Sequence, residues 1–273
     1  MFRLITVITL CLVVARPLAA QGSRVEPLFH AIGLADLIQV MHEEGVGYGA
    51  ELEAGLFPGE GGETWPRQVE AIYSLERMDR YVRDALEARL DDAEIATATA
   101  FFASPAGQRI IELELAARRS LLDQAVEEAA RDGWTALRDR GGRRWDLLVE
   151  FVEVNDLIDS NVAGAMTSNF AFFRAMVDGK AFDGPMTDNE ILTDIWGQEA
   201  DIREQTTDWV FSFVALAYQP LSDEDLRAYI AFSGTAGGQA LNSALFASFN
   251  DLFAKISGDM GTAAAGHMAG EDI

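Results

Sequence analysis

The 273-residue sequence contains one cysteine, three histidines and two lysines. The cysteine, Cys11, lies in an apolar N-terminal run, so the rest of the chain has neither a disulfide nor a thiol nucleophile. None of the histidines, His30, His42 and His267, belongs to a His-Glu-x-x-His pair, the spacing that places two zinc ligands on one helical face. We therefore predict no metal site and no cofactor.

Catalytic motifs are also missing. The sequence has no Gly-x-Ser-x-Gly, and its glycine-rich stretches at residues 45–49 and 234–239 follow no predicted strand and lack the phosphate-binding lysine. The acidic clusters at residues 188–190 and 223–225 lack the alternating oxygen ligands of a calcium loop and suit the first turn of a helix. We predict no catalytic residues and a non-enzymatic role; a hydrolase acting on the cell envelope is the last alternative.

Only one long apolar run occurs, at residues 4–14, and it is too short to span a bilayer. Arg3 precedes this run and small residues follow it, which is the pattern of a secretory signal peptide. We predict a signal peptide at residues 1–20, cleaved near Ala20, export to the periplasm, and no membrane span in the mature chain.

Positive charge is scarce. The whole chain has a formal net charge of −23, and removal of residues 1–20 takes away two arginines, which leaves −25. A surface this acidic repels phosphate backbones, so nucleic acid is excluded as a partner. Acidity of this kind also keeps an exported protein soluble and favours cationic partners.

Strand signals are scarce as well, whereas apolar residues recur at helical spacing along most of the chain. Capping patterns mark several helix starts, namely Asp91 with Glu94, Ser104 before Pro105, and Thr187 with Glu190. The sequence therefore predicts an all-α fold.

One block occurs twice. LDDAEIATATAFFASPAGQRI (residues 90–110) and LSDEDLRAYIAFSGTAGGQAL (residues 221–241) share a cap, a phenylalanine and a Gly-Gln pair at an offset of 131 residues. Trp65 and Trp196 keep this offset, and IGLADLI (residues 32–38) resembles VEVNDLI (residues 152–158) at an offset of 120. We predict two tandem four-helix units packed together: repeat 1 at residues 25–132, a linker at 133–144, repeat 2 at 145–257, and a flexible tail at 258–273.

Folding accounts for the residues of the repeated block. We expect the phenylalanines to be buried anchors, the glycines to let two helix backbones approach closely, and the glutamines to bridge unpaired backbone groups. These pairs are Phe101 and Phe232, Gly107 and Gly238, and Gln108 and Gln239.

The aromatic pair followed by Ser-Pro-x-Gly-Gln in FFASPAGQRI (residues 101–110), after a Leu-Asp-Asp turn, resembles the exported bacterial family called domain of unknown function 2059. The similarity is strongest at residues 72–122. It is weaker in the second copy, at residues 203–253, where Thr235 and Ala236 replace Ser-Pro and Ser233 replaces the second aromatic. The resemblance implies an all-helical exported domain without an assigned reaction, and it transfers no catalytic residue.

Two surfaces are candidates for binding. Phe170, Phe172 and Phe173 lie on more than one side of a predicted helix, with Phe182 nearby, so one side can form an apolar ligand or partner surface while the other packs in the core. The second surface is a positive cluster at the repeat junction, which binds either an anionic partner or the protein's own carboxylates. It comprises Arg138, Arg140, Arg143 and Arg144.

These features predict an exported protein that acts by binding or interaction in the periplasm. The alternative is a module that binds an apolar ligand or a lipid in a groove between the repeats. The partner is thus an unknown protein or an apolar small molecule, and the sequence leaves the oligomeric state open.

Overall fold

The computed structural model describes residues 23–182, 184 and 186–269, and the predicted signal peptide lies outside this range. The described residues form thirteen α-helices and contain no β-strand, so the all-α prediction is confirmed. The helices are α1 (Glu26–Ala31), α2 (Leu34–Leu56), α3 (Thr64–Ile72), α4 (Leu75–Arg89), α5 (Asp92–Phe102), α6 (Pro105–Ser120), α7 (Gln124–Arg140), α8 (Arg143–Val154), α9 (Leu157–Asp178), α10 (Asp188–Gly197), α11 (Glu199–Tyr218), α12 (Asp223–Ser233) and α13 (Ala236–Met268).

Thirteen helices are five more than two four-helix units would contain, and residues in a left-handed conformation account for two of the additional breaks. Gly33 adopts a left-handed conformation with φ of 62° and separates α1 from α2. Asp156 does the same between α8 and α9, with φ of 49°. A left-handed residue cannot continue a right-handed helix, so the chain changes direction at each of these points.

The capping predictions are confirmed. Asp91 accepts hydrogen bonds from the first turn of α5, and the carboxylate of Glu94 accepts the backbone N–H of Asp91 at 2.8 Å. Thr187 and Glu190 form the same capping box at α10, and Ser104 caps α6. These bonds satisfy N–H groups that the first turn of a helix leaves unpaired.

Both apolar cores combine residues from the two halves of the chain. In the first core, helices α1–α5 of the first half (α1–α7) pack around residues of α13, including Leu252, Ile256 and Ala264. Helices α8, α11 and α12 of the second half (α8–α13) pack around Ile110 and Ala117 of α6. The halves are therefore joined mainly through α6, α7 and α13, which the sequence analysis did not anticipate, and α13 also packs along α9 of its own half.

The contacts of the two repeated glutamines match. Gln108 Nε2 donates to the last backbone carbonyls of α1 and α5, at 2.8 and 2.7 Å. Gln239 Nε2 donates to the last carbonyls of α8 and α12, both at 2.8 Å. These bonds align the end of α1, Ala31, with the end of α8, Val154, so the offset in this region is 123 residues instead of the predicted 120.

The tryptophan pair does not match, and this part of the repeat prediction is wrong. Trp65 lies in the first turn of α3 and is 1% exposed, with its indole N–H donating to the carbonyl of Gly49 at 2.8 Å. Trp196 lies in the last turn of α10 and is 65% exposed. A shared offset in sequence therefore does not place these two side chains in equivalent environments.

The predicted tail and linker are largely helical. Helix α13 continues to Met268, and Ala264 and Ala265 are fully buried. Small residues allow this close packing, since a Cβ added at Gly261 would lie 2.4 Å from the carbonyl oxygen of Phe172 in α9. Of the predicted linker, residues 133–140 belong to α7 and residues 143–144 to α8, so only two glycines separate these helices.

Candidate functional site

A cavity of about 520 Å³ lies between the two halves. The first half contributes α2, α5 and α6 to its wall, and the second half contributes α9, α11, α12 and α13. Most of the lining is aliphatic or aromatic, including Leu37, Met41, Phe102, Leu245, Phe249 and Phe253. Apolar walls with a few polar groups are typical of small-molecule sites, and the volume lies within their usual range.

The cavity contains a carboxyl group, that of Glu114 in α6. The hydroxyl of Tyr218, at the end of α11, donates a hydrogen bond of 2.6 Å to Glu114 Oε1. Tyr229 of α12 lines the cavity beside this pair, with its ring centroid 6.1 Å from that of Tyr218. The carboxyl group of one half thus lies against two phenols of the other half.

Aromatic packing holds the two tyrosines. The ring of Phe151 in α8 contacts Tyr218 edge-on at 5.0 Å and Tyr229 at 4.9 Å, measured between ring centroids. Phe101 lies 5.8 Å from Tyr229 on another side. Rings at these separations attract one another and restrict rotation, so the phenols keep their position beside Glu114.

The surroundings shift the protonation equilibria of this group. Burial raises the pKa of Glu114 from 4.5 to about 7, although the hydrogen bonds from Tyr218 and Tyr229 act in the opposite direction. Burial, together with the nearby Glu114 carboxylate, raises the pKa of both tyrosines well above 10.0. The phenols therefore stay protonated as donors, while Glu114 changes its charge near neutral pH.

Three other polar side chains of the cavity are engaged within the protein. Arg118 Nε and Nη2 donate to the two carboxylate oxygens of Glu44, at 3.0 and 2.7 Å, and its guanidinium lies 5.6 Å from the ring centre of Trp209. The amide nitrogens of Asn161 and Asn242 donate to backbone carbonyls at 2.6 and 2.9 Å. The arginine charge is thus balanced by a two-point ion pair.

The predicted phenylalanine surface lies elsewhere. Phe173 and Phe182 line a separate cavity of about 600 Å³ against α10, and each is 37% exposed. Phe172 packs partly against the first core, and Phe170 is partly buried in α9. The cavity between the halves is instead lined by phenylalanines of α5 and α13, so these four residues do not form one site.

The arginine cluster is largely paired within the protein. Arg144 bonds to Asp223 at 2.9 Å and to three backbone carbonyls, and Arg143 lies 3.6 Å from the same carboxylate. Arg138 bonds to Asp139 and lies over the ring of Trp134. Of the two alternatives for this cluster, these contacts favour pairing with the protein's own carboxylates. The remaining member, Arg140, lines a further cavity along α7.

The histidines have separate environments. His42 Nδ1 lies 2.9 Å from a backbone carbonyl, His267 Nε2 lies 2.8 Å from the side-chain oxygen of Gln68, and His30 is exposed. Across residues 23–182, 184 and 186–269, no group of three or more histidine, cysteine, aspartate or glutamate side chains is placed to hold a metal ion. In the same part of the chain, no helix combines the length and the apolar character needed to cross a membrane.

Sequence reasoning missed Glu114, although a signal for it exists. Ile110 and Ala117 are buried on one face of α6, and Glu114 follows Ile110 by four residues and precedes Ala117 by three. This spacing places the glutamate on the buried face of the helix. An acidic residue there is uncommon unless it has a partner, so the position could have been selected from the 44 acidic residues.

Residues 76–132, about a fifth of the chain, match the family described as "Uncharacterized protein conserved in bacteria (DUF2059)". The match runs from α4 into α7 and includes Glu114 and the FFASPAGQRI segment, so it supports the resemblance for that stretch. The second copy of the repeated block lies outside the match. Comparisons with curated proteins and with solved structures give no match.

Proposed function

We propose that this protein is an exported, non-enzymatic binding protein that holds an apolar small molecule in the cavity between its halves. The observation that carries the proposal is an apolar cavity with one carboxyl group, Glu114, held in place by tyrosines. Structural needs alone explain such a group poorly, because burying a carboxyl costs free energy that an apolar side chain would not cost. A polar group in an apolar wall is what orients a bound ligand.

Export is part of the proposal. The first twenty residues have the pattern of a signal peptide, and the loss of this segment would leave a chain without cysteine. The match to a family described as conserved in bacteria supports a bacterial origin.

We also propose that the two halves derive from one duplicated unit. The matching bonds of Gln108 and Gln239 support this origin, as do the caps Ser104 and Thr235, each of which bonds to a backbone carbonyl three residues before it at 2.6 Å. The equivalent helices α6 and α13 each contact the other half, which explains why the cavity lies where the halves meet. The different exposure of the two tryptophans marks where the copies have diverged.

A substitution that fills the cavity tests the proposal. Leu245 lines it, and Leu245→Trp would occupy space that a ligand needs, whereas Leu122→Trp changes an exposed leucine of the first half. We expect calorimetric titration with 1-decanol to show equimolar binding to the natural protein and to Leu122→Trp, and loss of binding in Leu245→Trp. Equal binding by all three proteins, or binding by none, would refute the proposal.

A second candidate function is interaction with a protein through α10. Trp196 is 65% exposed and Leu192 is 39% exposed, which is unusual for large apolar side chains on one short helix. If α10 binds a partner protein, Trp196→Ser should abolish that association and leave decanol binding unchanged.

A further inference from the structure

We propose that the ligand of the cavity is an aliphatic amine, with its hydrocarbon chain among the apolar walls and its ammonium group on the Glu114 carboxylate. This inference rests on the proposed function and adds the chemical class of the ligand. It follows from the kinds of hydrogen-bonding groups that the cavity offers, from their charges and from the charge of the whole chain.

The cavity offers acceptors. Tyr218 donates a hydrogen bond to Oε1 of Glu114, and an ionised carboxylate has acceptor positions beyond those that the two tyrosines use. The amides of Asn161 and Asn242 each use one N–H on a backbone carbonyl and keep their side-chain oxygen as an acceptor, so the cavity offers acceptors beside its remaining amide donors. An ammonium group has three donors and no acceptor, and it matches such a set.

The cavity does not suit a carboxylate ligand. Its arginine, Arg118, is already bound through two nitrogens to Glu44, so the positive charge is neutralised inside the protein. A ligand carboxylate would instead approach Glu114, and two carboxylates in one site repel each other. A fatty acid is therefore disfavoured although its hydrocarbon chain would fit the walls.

The net charge of the protein also favours a cationic ligand over an anionic one. A net charge of −23 attracts a cationic amphiphile from solution and repels an anionic one. This long-range attraction raises the rate of encounter, while the carboxyl group in the cavity provides the discrimination after binding.

Protonation offers an independent readout. The pKa of Glu114 lies at about 7, so near neutral pH a fraction of the free protein carries a proton on this group. An ammonium ion at the carboxylate favours its charged form, and the proton is then released to solvent. Binding of an amine near pH 7 therefore releases protons, whereas binding of a neutral alcohol does not.

The experiment compares decylamine, 1-decanol and decanoate by calorimetric titration of the natural protein, Glu114→Gln and Glu112→Gln. Glu112 lies on the same helix with an exposed side chain, so the two variants differ from the natural protein by the same charge. We expect the natural protein and Glu112→Gln to bind decylamine at least about tenfold more tightly than decanol, and decanoate most weakly. Repeating the titration in buffers of different ionisation enthalpy measures the proton release.

In Glu114→Gln we expect the preference for the amine and the proton release to disappear while decanol binding remains. If decanol and decylamine bind the natural protein equally, if decanoate binds best, or if Glu114→Gln keeps the preference, the amine assignment is overturned and the cavity remains a general apolar site. If none of the three compounds binds the natural protein, the proposed function itself fails.

Discussion

Phe101 and Phe232 stack face to face, with ring centroids 4.0 Å apart and planes inclined by 5°, although 131 residues separate them in the chain. Each ring comes from the next-to-last residue of its helix, α5 or α12. The pair therefore joins the two halves through corresponding positions of the repeated block. Both rings are partly buried, and they pack against the first core instead of lying fully inside it.

This stack predicts an energetic coupling between the halves. Replacing Phe101 or Phe232 by leucine should destabilise the protein by similar amounts, and the double variant should lose less than both losses combined. We expect a coupling free energy of about 1 kcal/mol, typical of aromatic pairs. Urea unfolding of the four proteins measures it, and additive losses would show that the rings do not stabilise each other.

The repeated glycines should be equally intolerant of substitution. A Cβ at Gly107 would lie 2.3 Å from the carbonyl oxygen of Phe101, and one at Gly238 would lie 2.2 Å from that of Phe232. We expect each Gly→Ala variant to lose on the order of 2 kcal/mol or more of unfolding free energy, since the backbone must move.

Gly133 provides the control for these glycines. It lies inside α7 with no atom within 4 Å of an added Cβ, so Gly133→Ala should stabilise the protein by roughly 0.5–1 kcal/mol. Thermal unfolding of the three variants is the measurement. A loss at only one of the two repeated glycines would contradict their equivalence.

Glu114 should make the stability depend on pH. Its pKa is raised from 4.5 to about 7 on folding, so its contribution is complete below pH 4.5, declines above it, and is lost as the pH rises through 7. Glu114→Gln cannot ionise and should gain on the order of 1–3 kcal/mol relative to the natural protein between these limits. Denaturant unfolding of the natural protein and Glu114→Gln between pH 4.5 and 7 measures this difference, with Glu112→Gln as the control. If the unfolding free energies of the natural protein and Glu114→Gln change in parallel with pH, the pKa of Glu114 is not raised on folding.

The last turns of α13 should contribute to stability. Ala265 is fully buried, and Thr262 on the same helix is exposed. We expect Ala265→Gln to destabilise the protein by about 2 kcal/mol or more, because a larger polar side chain must enter a packed site, and Thr262→Gln to have little effect. Equal and small effects in thermal unfolding would mean that this segment does not pack on the rest of the protein.

Local features of the fold follow from the sequence. The caps at Asp91, Ser104 and Thr187 depend on residues within one turn of one another, so a short stretch of sequence is enough to predict each cap. The sequence also predicts that Gln108 and Gln239 contact unpaired backbone groups, because helix ends always leave such groups. The partners of these bridges, which include the ends of α1 and α8, come from distant segments and could not be named.

Long-range features did not follow in the same way. The packing of α6 and α13 against the other half depends on which apolar faces meet, and many pairings bury similar areas. Helical spacing marks Glu114 as an acid on a buried face, but its partners Tyr218 and Tyr229 can be named only after α6 is placed against the other half. The residues near 258–268 read as a tail because alanine and glycine carry little apolar surface, although these small residues are what permits close packing against α9.

Photolabelling of the natural protein with a diazirine-bearing decanol, followed by mass spectrometric mapping of the labelled peptides, tests the cavity most directly. We predict that the label attaches to residues of α6 and to the segment of α13 between Leu241 and Phe253, and that unlabelled decanol suppresses it. Labelling confined to Phe173, Phe182 and α10, or labelling that excess decanol does not suppress, would contradict a ligand site between the halves.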